Sequence, residues 1–564
     1  MKRIAIAFAV ALACAGIDWA AYRAASAPPV PLSKFVPGGP LLYLEAQDFS
    51  SLLNDWTASP QKKQWIQSDS YEVFSRSRLF LRLKGAGEQF AAAAGLPADL
   101  DFFSQVAGQR SAVALYDIGK LQFLYITYLP SAKSMQTALY QTRAKFEPRS
   151  AGGTNFYLRK DPESKREVAF AVSGDYLLLA TREDLMAGAL QLMSGNQDRT
   201  IESEPWWRQS TGAAGQAGDL RMVLNLQTLV PNGYFRTYWV QQNITDLSQY
   251  SAAVSDLFRS GNVYREERVV IRKKEPEQGA SDGATAAADL SRLVPENAGV
   301  YVAAANPTVE SCSELVETKL LIPHPGPAPD SEFAPQVQLT TGEHGSNSDL
   351  ETRIDEAPSE NRTESPAPAL KRLFEKTSIL ASLRVQSTER DAAGVFVRMH
   401  TAVVLAAASD WDQAAVQFAI VDFIRPGLTA RGLGASWTQR SRYQQLDGLW
   451  PLALSVRGKY LIISDQSATM ESILAKIDQK SDRKPLELYA GFNHKREHEN
   501  FVRLAGLIDR PGMMGPGVPQ GDRQPQFFSG SMASLSTTLA DVSVERIEIR
   551  NDGGKVRQTV TYEW

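Results

Sequence analysis

The sequence predicts an α+β protein made of two tandem, duplicated units, each with a mainly antiparallel sheet, packed helices and a closing β-hairpin. Three strand-and-turn patterns that occur twice in the same order lead to this prediction. The chain has 564 residues, 43% of them hydrophobic, which is enough for more than one core at about 150 residues per domain. Its 60 Lys and Arg nearly balance its 63 Asp and Glu, so no nucleic-acid partner is expected.

The first 27 residues have the pattern of an export signal or N-terminal anchor. Lys2 and Arg3 precede an apolar run over residues 4–17 that ends at Asp18, and this run is short for a spanning helix of about 20 residues. The mature body is therefore expected in the periplasm or elsewhere outside the cytoplasm. The pattern leaves open whether the segment is cleaved, retained as a membrane anchor, or lipidated at Cys14.

The first repeated pattern opens each unit. Residues 32–37 (LSKFVP) lead to an aliphatic run at 41–44, and residues 290–295 (LSRLVP) lead to a similar run at 299–302. In both places the proline closes a short turn and the aliphatic run begins a strand.

The second pattern is a hairpin followed by a helix. Residues 169–179 and 453–463 each predict two strands around a turn at Gly174 or Gly458. Helical stretches at 183–193 and 468–477 follow. The patterns together define repeats over residues 28–273 and 290–564.

The third pattern closes each unit with a hairpin. Gly261 lies between two strand-like runs, and the sequence NDGG at 551–554 is typical of a hairpin turn. In the last strand, alternation predicts one buried face and one solvated face. The face expected to be buried carries Val556, Gln558, Val560, Tyr562 and Trp564.

Composition predicts three flexible segments. Residues 274–289 are expected to link the units, residues 322–369 to form a disordered insert rich in proline and acids, and residues 511–525 to form a loop. Deleting the insert is expected to leave the melting temperature nearly unchanged.

This arrangement of an N-terminal signal or anchor, a proline turn before a strand, Gly-Tyr-Leu hairpins and a closing hairpin resembles a known type of protein. These are uncharacterised bacterial exported or membrane-anchored proteins of a domain-of-unknown-function type with two tandem α+β repeats. The resemblance covers most of residues 30–564 and rests on turns and strand starts. It implies a location and a fold, and no catalytic residue.

The sequence HKREH at 494–498 has the spacing of an inverted zinc-protease motif, with two histidines on one helical face and Glu497 as a base. A zinc site would need a third ligand from a downstream helix, and the sequence after His498 offers none. Lys495 and Arg496 also add positive charge beside the metal position. We therefore expect a solvated helix start, and we predict no catalytic residue, cofactor or metal.

One group of aromatic residues has the character of a binding surface, because tyrosine and tryptophan present wide apolar faces with a polar tip. The same spacing is also typical of a buried helix face. The residues are Trp206, Trp207, Tyr234, Phe235, Tyr238 and Trp239.

Two classes of function remain open from sequence. The favoured class is a non-enzymatic binding or scaffold protein of the cell envelope, with a protein, glycan or lipid partner. The alternative is an exported hydrolase or metalloenzyme with dispersed catalytic residues.

Overall fold

The computed structural model describes part of the chain: residues 30–97, 102–162, 165–196, 199–233, 235, 247–274, 282–321, 369–390, 397–429, 436–447, 452–479, 483–500 and 540–564. The predicted export segment, the loop at 511–525 and all of the predicted insert except Ala369 lie outside these residues. The described residues form two compact units. The first contains the described residues up to 274 together with Asp552–Glu563, and the second contains residues 282–500 and 540–551.

The first unit is built on antiparallel strands. Their bounds are β1 Leu42–Ala46, β2 Ser111–Asp117, β3 Gln122–Tyr128, β4 Glu147–Ala151, β5 Thr154–Lys160, β6 Glu167–Ser173, β7 Tyr176–Ala180, β8 Leu220–Leu224, β9 Tyr250–Ser260, β10 Val263–Arg272 and, from the C-terminus of the chain, β20 Lys555–Glu563. Neighbouring strands pair in the order β4-β5-β6-β7-β3-β2-β1-β8-β9-β10-β20. The last strand of the chain thus completes the first unit.

The helices of the first unit cover both faces of this sheet. They are α1 Phe49–Ala58, α2 Pro60–Ile66, α3 Asp69–Ser75, α4 Arg78–Ala94, α5 Phe102–Val106, α6 Ser131–Ser134, α7 Ala138–Gln141, α8 Glu183–Met193, α9 Pro205–Ala213 and α10 Leu226–Leu229, with 3-10 turns at Leu32–Phe35, Arg143–Lys145 and Ile201–Ser203. Successive side chains of a strand point to opposite faces, so each face needs its own layer of helices.

The second unit has its own antiparallel strands. They are β11 Val300–Ala305, β12 Ile379–Arg390, β13 Val397–Ala407, β14 Ser436–Gln439, β15 Gln444–Asp447, β16 Leu452–Arg457, β17 Tyr460–Ser464, β18 Leu488–Phe492 and β19 Val544–Asp552. They pair in the order β14-β15-β16-β17-β13-β12-β11-β18-β19. This order matches the first nine strands in the order of the first unit, β4-β5-β6-β7-β3-β2-β1-β8-β9, strand for strand. The duplication itself stays a prediction.

The helices of the second unit form two hydrophobic layers with its sheet. They are α11 Asp282–Ser291, α12 Val309–Val316, α13 Ala369–Lys376, α14 Gln413–Thr429 and α15 Ser467–Leu474, with a π-helical turn at Glu317–Leu321. Helices α11 and α15 bury one face of the sheet, around Leu383 and Ile462. Helices α12 to α14 bury the other face, around Val403 and Ile463.

The predicted turns are present. Gly174 and Gly458 have φ values of 55° and 54°, and Gly261 and Gly553 have 56° and 59°. Glycine reaches this left-handed region without the steric cost that a Cβ would add. The helix predicted at 183–193 has these bounds in α8, and the one predicted at 468–477 is the shorter α15.

One prediction about flexibility is wrong within the described residues. Residues 282–289 of the expected linker belong to α11, whose Ala284, Ala287 and Ala288 are buried against β11 and β12. Alanine favours a helix, and its small side chain lets the helix lie close to a sheet. It also carries little periodic signal, so an alanine-rich helix resembles a linker in the sequence. Ala369, the last residue of the expected insert, begins α13.

The prediction for the last strand is also wrong. Val560 is buried, but the other residues of β20 are half-buried on both faces. Alternation shows which face of a strand is more apolar, whereas burial also needs a layer of structure on that face.

Candidate functional site

The sheet of the first unit has two apolar faces with different surroundings. On one face, Tyr43, Leu124 and Leu178 pack with α8 and α9 in a continuous core. On the other face, Leu44, Val113, Tyr125 and Leu179 line a cavity of about 1420 Å³ under α1, α4 and α5. Leu44 and Val113 lie directly opposite each other on β1 and β2, so they form the floor of the cavity together.

The helical side of the cavity is mainly apolar. Its residues include Phe49 of α1, eight residues of α4 and three of α5; those of α4 and α5 with large apolar side chains are Leu83, Phe90, Phe102, Phe103 and Val106. Leu83 and Phe103 are 51% and 66% exposed, which places them at the rim. The volume of the cavity exceeds the range of about 300–1,000 Å³ that is usual for small-molecule pockets.

The polar part of the lining carries more positive than negative charge. Five cationic side chains and two carboxylates contribute: Lys84, Lys120, Lys165, Arg166, Arg182, Glu88 and Glu167. Glu167 also pairs with Lys160 at 3.0 Å. The three lysines are exposed, so their ammonium groups are accessible to a ligand head group at the surface.

Helix α4 is held over the cavity by contacts at its ends and along its length. The Ser77 hydroxyl accepts from the Phe80 amide at the N-cap, and Gly95 ends the helix with φ 68°. Arg82 donates to the Gly119 carbonyl, and Arg166 Nε donates to Gln89 Oε1 at 2.7 Å. These contacts hold the helix to the turn between β2 and β3 and to the residue just before β6, while apolar residues of the helix line the cavity.

The same face of the second unit is filled. Tyr125 lies opposite Leu179 in the first unit, and Val403 lies opposite Ile463 at the matching place in the second. Val403 and Ile463 are completely buried, and Phe374 and Trp411 pack nearby with 6.0 Å between their ring centroids. Among the described residues, the helices of the second unit therefore pack onto this face where those of the first unit leave a cavity.

The cavity residues were not identified from sequence, although one signal was present. Leu81 and Leu83 are two positions apart in α4, so they cannot both lie on one face of the helix. They are 55% and 51% exposed. Other exposed apolar side chains in α1 to α5 are Trp56, Ile66, Phe74 and Phe103. A run of helices with more apolar residues than one face can bury is typical of a binding surface.

The aromatic residues predicted as a binding surface do not form one in the described chain. Trp206 and Trp207 are each 7% exposed and belong to the core of the first unit. Phe235 is half-buried against a cluster around Leu226 and Leu229. For the two tryptophans the structure therefore agrees with the alternative, a buried helix face, because α9 turns them toward the sheet. Tyr234, Tyr238 and Trp239 lie outside the described residues.

The residues of the HKREH sequence begin a helical segment at 494. Lys495 and Arg496 are exposed, as expected for a solvated helix start, but two of the other residues are buried. His494 and Glu497 are 6% and 2% exposed. His494 Nε2 lies 2.8 Å from Glu545 Oε2, while Glu497 Oε2 accepts from the Thr388 hydroxyl and, at 3.3 Å, from the Thr388 amide. Asn500 donates to the same hydroxyl at 2.7 Å. These contacts join the segment to β12 and β19.

Cys312 is a buried free thiol on α12. Burial raises the pKa of its thiol to about 12, so the reactive thiolate is scarce at neutral pH. Within the described ranges, no group of three or more His, Cys, Asp or Glu is arranged to hold a metal ion.

None of the helices in the described part of the chain is both long and apolar enough to cross a bilayer. No family model and no curated protein sequence matches the chain. Among solved structures, crystal forms I, III and IV of TP0453 show a weak similarity, with TM-scores of 0.23, 0.24 and 0.22 and identities of 11%, 13% and 11%. The alignments cover 44%, 48% and 43% of this chain and 81%, 88% and 80% of TP0453. At such TM-scores the similarity supports no inference about fold or function.

Proposed function

We propose that this protein is a non-enzymatic binding protein of the cell envelope, and that its first unit binds a long-chain amphiphile with an anionic head group. The observation that carries the proposal is the cavity between the Leu44–Val113 face of the sheet and helix α4. Burying an apolar chain there gains roughly 25 cal/mol for each Å² removed from water.

The charges around the cavity favour an anionic head group over a cationic one. Lys84, Lys120 and Lys165 are exposed members of the lining, and ammonium groups attract carboxylate or phosphate at a site adjoining an apolar wall. The exposed Leu83 and Phe103 at the rim would cover the part of the chain nearest the head group.

A fluorescent fatty acid, cis-parinaric acid, tests the proposal on the chain without residues 1–27. Saturable binding is expected, and Val113→Trp should weaken it at least tenfold because the indole occupies the floor of the cavity. Phe418→Trp is the matched control, since Phe418 is 61% exposed in the second unit. Thermal melting of each variant shows whether it is folded.

Competition with three C12 amphiphiles tests the charge. Dodecanoate should displace the probe better than dodecanol or dodecylamine, and Lys84→Glu with Lys120→Glu should abolish that preference. A wild-type chain without saturable binding, or equal affinity in Val113→Trp, would contradict the proposal.

The location is a separate part of the proposal and rests on the N-terminal sequence. Fractionation of cells that express the whole chain should place the body outside the cytoplasm. A soluble cytoplasmic pool of full-length chain would overturn this part alone.

A further inference from the structure

The second unit has a small cationic pocket beside β11 and β18. Its volume is about 270 Å³. Four of its lining side chains are cationic and one is a carboxylate: Arg292, Lys476, Arg483, Arg546 and Glu296. The remaining lining includes the rings of Tyr301 and Tyr489.

Arg292 and Lys476 hydrogen-bond with backbone carbonyls. Arg292 donates to the carbonyls of Lys476 and Ile477, and Lys476 Nζ donates to the Val294 carbonyl at 2.8 Å. A carbonyl accepts a hydrogen bond without neutralising the charge of its donor. Arg292 Nε is buried and has no hydrogen-bond partner, and two of the three ammonium protons of Lys476 remain beyond the one given to Val294.

The tyrosines fix the shape of the pocket. Tyr301 and Tyr489 stack with 5.3 Å between ring centroids, and the Arg483 guanidinium lies 4.8 Å from the centre of the Tyr489 ring. Burial, followed by the neighbouring Tyr489, raises the pKa of Tyr301 to about 12. Its hydroxyl stays protonated at neutral pH and hydrogen-bonds with the side chains of Tyr489 and Arg546.

The first unit shows why the pocket exists. Tyr43, at the place of Tyr301, is covered by Trp207 of α9 with 5.0 Å between ring centroids. Helix α9 lies in the connection between α8 and β8, residues 194–219. The connection between α15 and β18, residues 475–487, is half as long, and its described part carries cationic side chains where the first unit has an indole.

We infer that this pocket binds a phosphate group. Guanidinium groups bind phosphate oxygens in a bidentate manner, and an ammonium group adds a point charge. Four cations against one carboxylate leave an excess of positive charge that a phosphate dianion would offset. The inference concerns the second unit and is independent of the cavity in the first.

Isothermal titration with inorganic phosphate and with glycerol 3-phosphate, in chloride buffer at fixed ionic strength, tests the inference on the chain without residues 1–27. Saturable binding of one equivalent is expected for at least one ligand. Tighter binding of glycerol 3-phosphate would indicate a phosphate ester as the natural ligand, and tighter binding of inorganic phosphate would indicate the free ion.

Arg483→Gln and Lys476→Gln should each weaken phosphate binding at least tenfold. Lys459→Gln is the matched control, because it removes the same charge from an exposed turn of the same unit. Tyr301→Phe, which keeps the ring, should weaken binding less. If the pocket cations only cap backbone carbonyls, the wild type will show no saturable binding, or the pocket variants will bind like Lys459→Gln. Either result would overturn the inference.

Discussion

Trp207 packs edge-on against Tyr43, with an angle of 85° between the rings and 5.0 Å between their centroids. Tyr43 is completely buried, and its hydroxyl donates to Glu45 Oε2 at 2.9 Å. The other oxygen of Glu45 accepts from Arg110 Nε at 2.5 Å. The aromatic pair thus covers a buried ion pair in the first unit, which makes Trp207 part of the fold.

Trp207→Ala is expected to destabilise the first unit by about 3–5 kcal/mol, because it removes a buried indole and leaves a cavity above Tyr43. Equilibrium urea unfolding followed by circular dichroism measures the effect. Trp56→Ala is the control, since Trp56 is 48% exposed and its loss should change stability by less than about 0.5 kcal/mol. If Trp207 served a partner surface, the two variants would be equally stable.

Glu497→Ala should cost about 1–3 kcal/mol in the free energy of unfolding, because the buried hydroxyl and amide of Thr388 lose their acceptor. His494→Ala should also cost more than the 0.5 kcal/mol or so of an ordinary surface change, since His494 is 6% exposed and contacts Glu545. Lys495→Ala, at an exposed position of the same segment, is the control. Similar stabilities for all three variants would mean that the segment is solvated.

His400 should make the second unit more stable as the pH falls. The Asp465 carboxylate accepts a hydrogen bond from the His400 ring and raises the pKa of His400 above 6.5, with Glu389 adding to the shift and burial opposing it. The folded state therefore binds the proton more tightly, so the added stability is complete below pH 6.5 and is lost as the pH rises through the raised pKa. Melting temperatures between pH 6 and pH 8.5 measure this dependence.

His400→Gln should flatten that dependence relative to wild type. Glu389→Gln, which leaves Asp465 in place, should flatten it less, because Glu389 is the smaller cause and is 63% exposed. A pH dependence that is unchanged in His400→Gln would show that other groups produce it.

Gly174→Ala and Gly458→Ala should each cost about 1–2 kcal/mol, since both turns hold the left-handed conformation. No atom lies within 4 Å of the Cβ position at Gly174, and the nearest atom at Gly458 is 3.4 Å away, so backbone strain is the cause in both. Asn at either position should cost less, because it tolerates this conformation.

Gly212→Ala is the control for the turn variants. Gly212 lies inside α9 with open space at its Cβ position, so alanine should be neutral or stabilising by up to about 1 kcal/mol. A large difference between the two turn variants would argue that the turns are not equivalent, and so against the duplication.

Local chemistry predicted a large part of the fold. Glycine turns flanked by β-branched and aromatic runs identified the hairpins at Gly174, Gly458 and Gly261, because a positive φ restricts the residue type. The helix at 183–193 was also found, since its apolar spacing matches the helical period. The helix at 282–291 was missed, as alanine carries little periodic signal.

The sequence by itself determined the α+β fold class and the hairpin turns at its glycines, because each depends on neighbours along the chain. Only the tertiary structure decided what lies on each face of the two sheets. It placed Trp207 over Tyr43, left a cavity beside Val113, and gathered Arg292, Lys476 and Arg483 around Tyr301. Such neighbours are far apart in sequence, and burial depends on the layer that packs on a strand, which no local pattern encodes.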